Sequence, residues 1–418
     1  MIGTFATRGG KMRSIMEASM NEMTGYGRIA QRPQENAELT HVEFGTPMGE
    51  LMRRYWQPFC LSDELNDLPK AIRILGEDLV TFRDGQGRTG LVDRHCAHRG
   101  TSLEYGKIEE NGIRCCFHGW LFDREGRCLE QPAEPEDSTS KDRVRQPWYP
   151  THEFGGLVFA YMGPPERQPE FPEFDILTGD GVVLTAYRNI SRGAIAECNW
   201  LQIQENAMDP VHTAFLHQSI NVSHFTELFG DHGEWQLNFE ETPFGMKYVR
   251  TSKFDDGRQY TRVAENFVPN ARSIPDPFFS EDETTHEKSR LIGWWVPVDS
   301  THTIGFHIES LRVVDGKPVP SLLAEGEEGR VSATQAPRRS YEETQRDPDD
   351  REAQVSQGPI AIHALEHLAT SDKGVVLFRR RLKEALEAIE RGEDPMGISR
   401  DPANRTIEVC ASNSMVND

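Results

Sequence analysis

The chain has 418 residues, 27% of them charged, and its 67 Asp and Glu outnumber 46 Lys and Arg to give a formal net charge of −21. Such a balance sits badly with nucleic acid, whose phosphates require clustered Lys and Arg, and no apolar run approaches the roughly twenty residues of a membrane span. The length sets an expectation of two or three domains. The lack of an apolar signal core, with seven cysteines in no disulfide-like rhythm, sets one of a cytoplasmic, reducing location.

Residues 1–38 carry five methionines amid Gly, Arg and Gln without sustained periodicity, and are expected to form a mobile arm. The segment PMGELMRRYW (residues 47–56) reads as a short amphipathic helix. Alternating or apolar stretches follow at 71–75, 79–82 and 91–92, separated by glycine-rich turns such as DGQG, and residues 157–161 continue the pattern. These read as strands and hairpins of a small β domain over residues 39–165.

Within that region stand two mixed pairs, Cys96-Ala97-His98 and Cys115-Cys116-Phe117-His118, with sixteen residues between them. Two thiolates and two imidazoles suit a [2Fe–2S] centre with one iron held by Cys96 and Cys115 and the other by His98 and His118. A structural zinc site would accept the same side chains. Against zinc, the gap in Cys96-x-His98 is shorter than the usual knuckle, and each pair mixes one Cys with one His. Only Cys115 gives the two-residue gap to His118; Cys116, like Cys60, Cys128, Cys198 and Cys410, is read as a small buried hydrophobe.

A connector at residues 164–169, PPERQP, is too stiff and polar for a core element and is expected to divide the domains. Beyond it, over residues 166–400, strand-like segments at 182–188, 246–251, 260–267, 291–296 and 301–309 accompany helical ones at 199–216 and 374–391. The mixture suggests an antiparallel sheet wrapped around long helices, α+β in class. Residues 318–350, rich in Glu, Arg, Ser, Pro and Gln, are expected as a long polar surface loop, and 401–418 as a C-terminal tail.

The segment NWLQIQENAMDPVHTAFLH (residues 199–217) places Asp209, His212 and His217 together. Two neutral imidazoles and one carboxylate on one face of Fe(II) leave positions open for O2 and substrate, an arrangement that mononuclear non-haem oxygenases use. Read alone, two histidines at this spacing are more often unrelated polar or core residues. On a regular helix they stand about 140° apart, so binding one ion requires a local distortion of the backbone. Asp209-Pro210 is by itself a good N-cap with proline at the first helical position. Arg250 and Arg262, on predicted strands, suit bidentate carboxylate recognition or, as readily, a salt bridge. Phe215, Leu216, Phe267, Phe278 and Phe279 suit a pocket lining or ordinary core. No G-x-G-x-x-G follows a strand, so NAD(P)H oxidation is expected in a separate protein.

The run HCAHRGTSLEYGKIEENGIRCCFHGWLFDREGRCLEQP (residues 95–132) resembles the Rieske domain of the oxygenase component of aromatic-ring-hydroxylating systems, and the phthalate dioxygenase group above all. The likeness extends over about residues 41–376 and includes the D-x-x-H-x-x-x-x-H spacing of Asp209, His212 and His217. It implies an N-terminal all-β Rieske domain with a [2Fe–2S] cluster on Cys96, His98, Cys115 and His118, followed by a helix-grip catalytic domain with mononuclear Fe(II) on His212, His217 and a third ligand. Aligning the family's Gln and Gly-Pro-Ile onto Gln354 and Gly358-Pro359-Ile360 puts that ligand at Asp350, with Asp349 the nearest alternative. By composition alone both acids are solvated or cap a helix. Asp209 would accept the free ring N–H of His212 and reach the cluster histidine, His118, of a neighbouring subunit, which makes a homotrimer or stacked trimers part of catalysis. A reductase or ferredoxin would supply single electrons for O2 activation beside a small aromatic substrate. The implied activity is oxidation of an aromatic acid, by ring hydroxylation or by O-demethylation of a methoxylated, lignin-derived acid. A Rieske-type electron carrier would have no use for His212, His217 and Asp350, and a zinc-stabilised interaction protein would hold little iron.

Overall fold

Residues 33–188, 195–219, 235–276, 285–314, 316–319 and 340–417 are described in the computed structural model. The chain divides into two units. One comprises residues 1–36 and 362–367; its described residues include the 3-10 turn His363–Leu365, and residues 1–32 of the expected arm lie outside the described residues. The other comprises residues 37–361 and 368–418 and carries the remaining described elements.

The N-terminal part of the larger unit is rich in short antiparallel sheets, as the alternating segments predict. Lys70–Ile74, Glu77–Arg83 and Thr89–Asp93 form one, and Lys107–Glu109, Gly112–Arg114, Leu121–Phe122 and Cys128–Glu130 a second. A third joins Gln57–Leu61, Leu157–Ala160 and Thr151–Phe154. Residues of the first two share a small core of Val80, Phe82, Val92, Leu103, Ile113 and Phe122, which takes in the thiols of Cys96 and Cys115. The predicted helix at 47–56 is shorter, Pro47–Met52, because the chain from Gln57 is drawn into the third sheet.

After a 3-10 turn at Pro165–Arg167, a ten-stranded sheet builds the rest. Its path runs Leu184–Arg188, His302–Ser310, Leu291–Asp299, Ala271–Ser273, Arg258–Phe267, Gly245–Lys253, Trp235–Thr242, every neighbour antiparallel. Two helices pack on it, Trp200–Asn206 and Lys373–Glu390. The second buries Val375, Phe378, Leu382, Ala385 and Leu386, an apolar stripe at helical spacing. Gly374 abuts the Met208 carbonyl so closely that a Cβ would lie 2.2 Å from its oxygen. The large core joins Met52, Phe159 and Tyr161 with Trp200, Trp294, Phe306 and Phe378, so apolar burial is continuous past the proline-rich connector. The architecture is α+β.

Several segments differ from expectation. Residues 199–216 are not one helix: Trp200–Asn206 ends before Asp209-Pro210, and His212–Ala214 runs into a π-helical turn, Phe215–Ser219. Within 318–350, Lys317–Val319 pairs with Arg312–Val314, and Tyr341–Arg346 is a helix nucleated by a capping box between Ser340 and Glu343. Residues 401–418 are not a tail: Ser412–Asn417 is a strand paired with both Arg258–Phe267 and Thr285–Lys288. Cys60, Cys128 and Cys198 are buried, but Cys116 and Cys410 are exposed. Strand-like alternation buries Ile407, Val409 and Ala411 and turns Cys410 outward.

Asn413 in the C-terminal strand accepts from Tyr260 Oη at 2.8 Å and Arg262 Nη1 at 3.0 Å, and donates to the Asp276 carbonyl at 2.8 Å. Asn413→Ala removes one acceptor from each of two buried donors, and is expected to lower unfolding stability by about 2 kcal/mol. Denaturant unfolding reads this; an unchanged midpoint would show that the strand does not hold the sheet together.

Candidate metal centres

The two Cys/His loops share one backbone plan. Cys96 N–H donates to the Thr101 carbonyl at 2.9 Å and Gly100 N–H to the Cys96 carbonyl at 2.8 Å; Cys115 N–H donates to Trp120 at 2.8 Å and Gly119 N–H to Cys115 at 3.1 Å. Each turn closes on a glycine in the left-handed region, φ 76° at Gly100 and 75° at Gly119, which other residues adopt only with strain. The result buries both thiols in the small core and brings the His98 and His118 rings to 4.5 Å between centroids. Trp120 stacks flat on His98 at 4.2 Å.

The donor set fits an iron–sulfur cluster. Among the described residues, the buried Nδ1 of His98 has no hydrogen-bond partner, a position that a metal bond would satisfy. Burial pushes the Cys96 thiol up to about 11, with Cys115 beside it adding to the rise, so the thiol stays protonated until a metal displaces the proton.

Sequence reasoning missed the side chains that brace these loops. Gln146, fully buried, accepts from Ala97 N–H at 2.8 Å and donates to the carbonyls of Asp93 and His95 at 2.8 and 2.9 Å. Arg114 donates to the Gly119 carbonyl at 2.5 Å while paired with Glu109 and Glu130. Arg114 at least adjoins a ligand in sequence, whereas no local signal marks Gln146.

The second set lies beyond the helix Trp200–Asn206. That helix is buried on nearly every side and tied by its polar groups: Asn266 donates to the Gln204 carbonyl (3.1 Å), Gln204 to Ala271 (2.8 Å) and Arg272 to Ile203 (3.1 Å). Gln202 reaches the other way, donating to the carbonyls of Gln354 and Gly358 at 2.9 and 3.1 Å, and so holds the helix Asp350–Val355 against it. His212, His217 and Asp350 are thereby gathered with one ligand atom from each within 4.8 Å of the others. The π-helical turn is the distortion that the five-residue spacing demands, because its wider turn lets both imidazoles face one point.

Nε2 of His217 lies 3.2 Å, and that of His212 3.6 Å, from Asp350 Oδ1. Withdrawal from water raises the Asp350 pKa, but the His217 hydrogen bond and the nearby imidazoles outweigh it and hold the carboxyl below the usual carboxylate range. Asp349 caps the helix with Glu352 and sits 3.9 Å from Nδ1 of His217, behind the ring. Asn206, given no role from sequence, puts its amide 3.1 Å from Asp350 Oδ1 and 3.3 Å from His212 Nε2.

Asp209 differs in detail from expectation. Its backbone carbonyl, not its carboxylate, accepts from His212 Nδ1; the carboxylate lies 3.8 Å from that nitrogen and accepts from the N–H groups of Val211 and His212. Arg262 is committed to the fold, donating to the Pro275 carbonyl at 2.8 Å and to Asn413. Arg250 is nearer the metal set: buried, it lies 3.6 Å over the Trp235 ring, with Nη1 3.5 Å from Thr213 Oγ1. Phe215 is exposed, Phe278 and Phe279 fall outside the described residues, and Phe267 lines a separate cavity of about 140 Å³ with Trp56 and Trp294.

A paired Cys/His centre and a His–His–Asp set on one chain define a two-centre non-haem iron protein. Residues 55–150 match the Rieske [2Fe-2S] domain. The chain is 42% identical to the oxygenase subunit of a tert-butanol monooxygenase/tert-amyl alcohol desaturase from Aquincola tertiaricarbonis, over 95% of this chain and 87% of that protein. It is equally identical to the alpha subunit of a phenoxybenzoate dioxygenase from Ectopseudomonas oleovorans, over 93% of each. In fold it is similar to dicamba monooxygenase bound to dicamba, with a TM-score of 0.59 at 16% identity over 82% of this chain and 99% of that one. The chain belongs to the Rieske non-haem iron oxygenases, as the oxygenase subunit of a multicomponent system. It carries a [2Fe–2S] cluster and a mononuclear iron, and works with a reductase or ferredoxin; it is not an electron carrier alone. No helix among the described residues is long and apolar enough to cross a membrane.

Gln146→Leu is expected to loosen the first ligand loop and lower acid-labile sulfide by more than half, while iron at the second set is retained. Full sulfide content in that variant would remove Gln146 from the support of the cluster.

Proposed function

We propose that this oxygenase subunit oxidises a carboxylated aromatic compound, by ring hydroxylation or by O-demethylation of a methoxylated acid. The observation that carries the reading is the convergence of His212, His217 and Asp350 in a chain that also holds the paired Cys/His loops. The names of its relatives support the substrate class: besides the phenoxybenzoate enzyme they include a 5,5'-dehydrodivanillate O-demethylase from Sphingobium sp., 34% identical, and a phthalate 4,5-dioxygenase from Pseudomonas putida, 32% identical.

In this reading Cys96, His98, Cys115 and His118 hold the cluster, and His212, His217 and Asp350 the mononuclear iron. When bound, the cluster supplies single electrons and the iron activates O2. The chain's own residues set the conditions. The Asp209 carbonyl accepts a hydrogen bond from the His212 Nδ1–H, which keeps the proton on Nδ1 and directs the Nε2 lone pair inward. Asn206 steadies the Asp350 carboxylate, and Arg250 offers the buried cation for a substrate carboxylate. Asp209, whose carboxylate is partly exposed, links His212 to His118 of a neighbouring subunit in a homotrimer or stacked trimers. The cysteines, none of them in a disulfide, agree with a cytoplasmic location.

A second reading, oxidation of a small tertiary alcohol, is favoured by the identity with the tert-butanol enzyme, which equals that with the phenoxybenzoate enzyme. Incubating the iron-loaded chain with a compatible reductase, NADH, O2 and a panel of phthalates, methoxylated benzoates, phenoxybenzoate and tert-butanol separates the two. A cis-dihydrodiol, or formaldehyde with a demethylated phenol, supports the first; product from tert-butanol alone supports the second.

Asp350→Ala is expected to reduce iron from about three to about two atoms per chain with the visible Rieske spectrum unchanged. Three irons retained would place the third ligand elsewhere. Asp209→Ala should keep the spectrum and the iron yet abolish turnover, and full activity would break the proposed inter-subunit link.

A further inference from the structure

His307 is a buried polar side chain to which neither metal centre gives a role. It lies on the strand His302–Ser310, 5% exposed, and among the described residues its buried Nδ1 has no hydrogen-bond partner. Native interiors seldom leave such an atom unmatched without a reason. The ring is held in one orientation, stacked on Tyr187 at 5.2 Å and meeting Trp295 edge-on at 6.0 Å. Gly293, directly opposite on the neighbouring strand, makes the room: a Cβ there would lie 2.7 Å from Cδ2 and Nε2 of the imidazole.

The ring also belongs to the side of the sheet that serves the metal set. Cross-strand register runs Tyr187, His307, Gly293, Arg272, and residues opposite one another in a ladder project from one face. Arg272 donates to Ile203 in the helix that ends at Asn206, and Asn206 in turn donates to Asp350. Two strand spacings, on the order of 10 Å, separate the His307 and Arg272 backbones. Burial pushes His307 down to about 3, and Arg272 adds to the fall, so the imidazole is neutral in any physiological medium. A neutral ring offers one N–H and one lone pair, which matches an uncharged hydroxyl or ether rather than an ion.

We propose that His307 is a substrate-binding residue whose Nδ1 hydrogen-bonds an uncharged oxygen function, a hydroxyl or ether, on the molecule oxidised at the His212/His217/Asp350 centre. This deepens the oxygenase reading and rests on it. Tyr187 and Trp295 supply the flat apolar surroundings.

The test is calorimetric titration of the metal-loaded chain with hydroxybenzoates and the isosteric methylbenzoates. Wild-type protein is expected to bind a hydroxy acid about tenfold more tightly than its methyl counterpart, the size of one hydrogen bond. His307→Leu should bind the two alike, with the methyl acid held as in wild type. Gly293→Ala, which drives a methyl into the space of the ring without removing the imidazole, should lose the preference too, and carries the test alone if His307→Leu fails to fold. A preference retained in the folded variants, or lacking in wild type, overturns the role of His307 while leaving the oxygenase reading intact. Wild type that binds neither probe overturns the aromatic-acid reading, and the role of His307 with it.

Discussion

Burial of the short helix Trp200–Asn206 is the constraint on which the catalytic half of the molecule depends. A helix of seven residues has little intrinsic stability, and this one is fixed by being gripped from two directions. Sheet side chains occupy its carbonyls from one side, through Asn266 and Arg272, while Gln202 fastens the Asp350–Val355 helix from the other. Each bond adds only about 1 kcal/mol net, but breaking one inside the core strands a polar group at a cost of about 1–3 kcal/mol. The arrangement is therefore closer to all-or-none than to a sum of independent contacts. It is what allows an aspartate 133 residues beyond His217 in the chain to meet that histidine at 3.2 Å.

The cluster loops rest on a different principle. There the Cys and His of each pair are close in sequence, and the local backbone does most of the positioning through paired turns that close on Gly100 and Gly119. Tertiary structure supplies the lining: the thiols are part of a small apolar core, and Gln146 arrives from a distant segment to bind the first loop. One centre is thus specified by short-range geometry, the other by long-range packing.

That contrast explains what was legible in the sequence. That the Cys96/His98 and Cys115/His118 loops come together could be read from spacing, since the spacing is itself the structure. Five strands of the large sheet, Leu184–Arg188, Gly245–Lys253, Arg258–Phe267, Leu291–Asp299 and His302–Ser310, were legible from alternation while Trp235–Thr242 and the shorter ones were not, and the need for a distorted helix between His212 and His217 followed from simple arithmetic on helical rotation. Asp350 was reached only through family likeness, because nothing local distinguishes it from Asp349; the two face opposite nitrogens of His217, a distinction that exists only in three dimensions. Ser412–Asn417 was missed because its polar Asn413 finds partners in Tyr260 and Arg262, which a composition-based reading cannot supply. Sequence alone leaves Arg262 open between carboxylate recognition and a salt bridge for the same reason, its buried partners Asn413 and Pro275 being invisible in the linear chain.

The position of that last strand bears on the order of assembly. Ser412–Asn417 pairs with Arg258–Phe267, about 150 residues earlier, and every other strand of the sheet precedes it. During synthesis the cluster loops, whose contacts are confined to the first 150 residues or so, can fold while the catalytic sheet still lacks a strand. The chain therefore presents the cluster loops with their local partners before the last strand of the large sheet has been made.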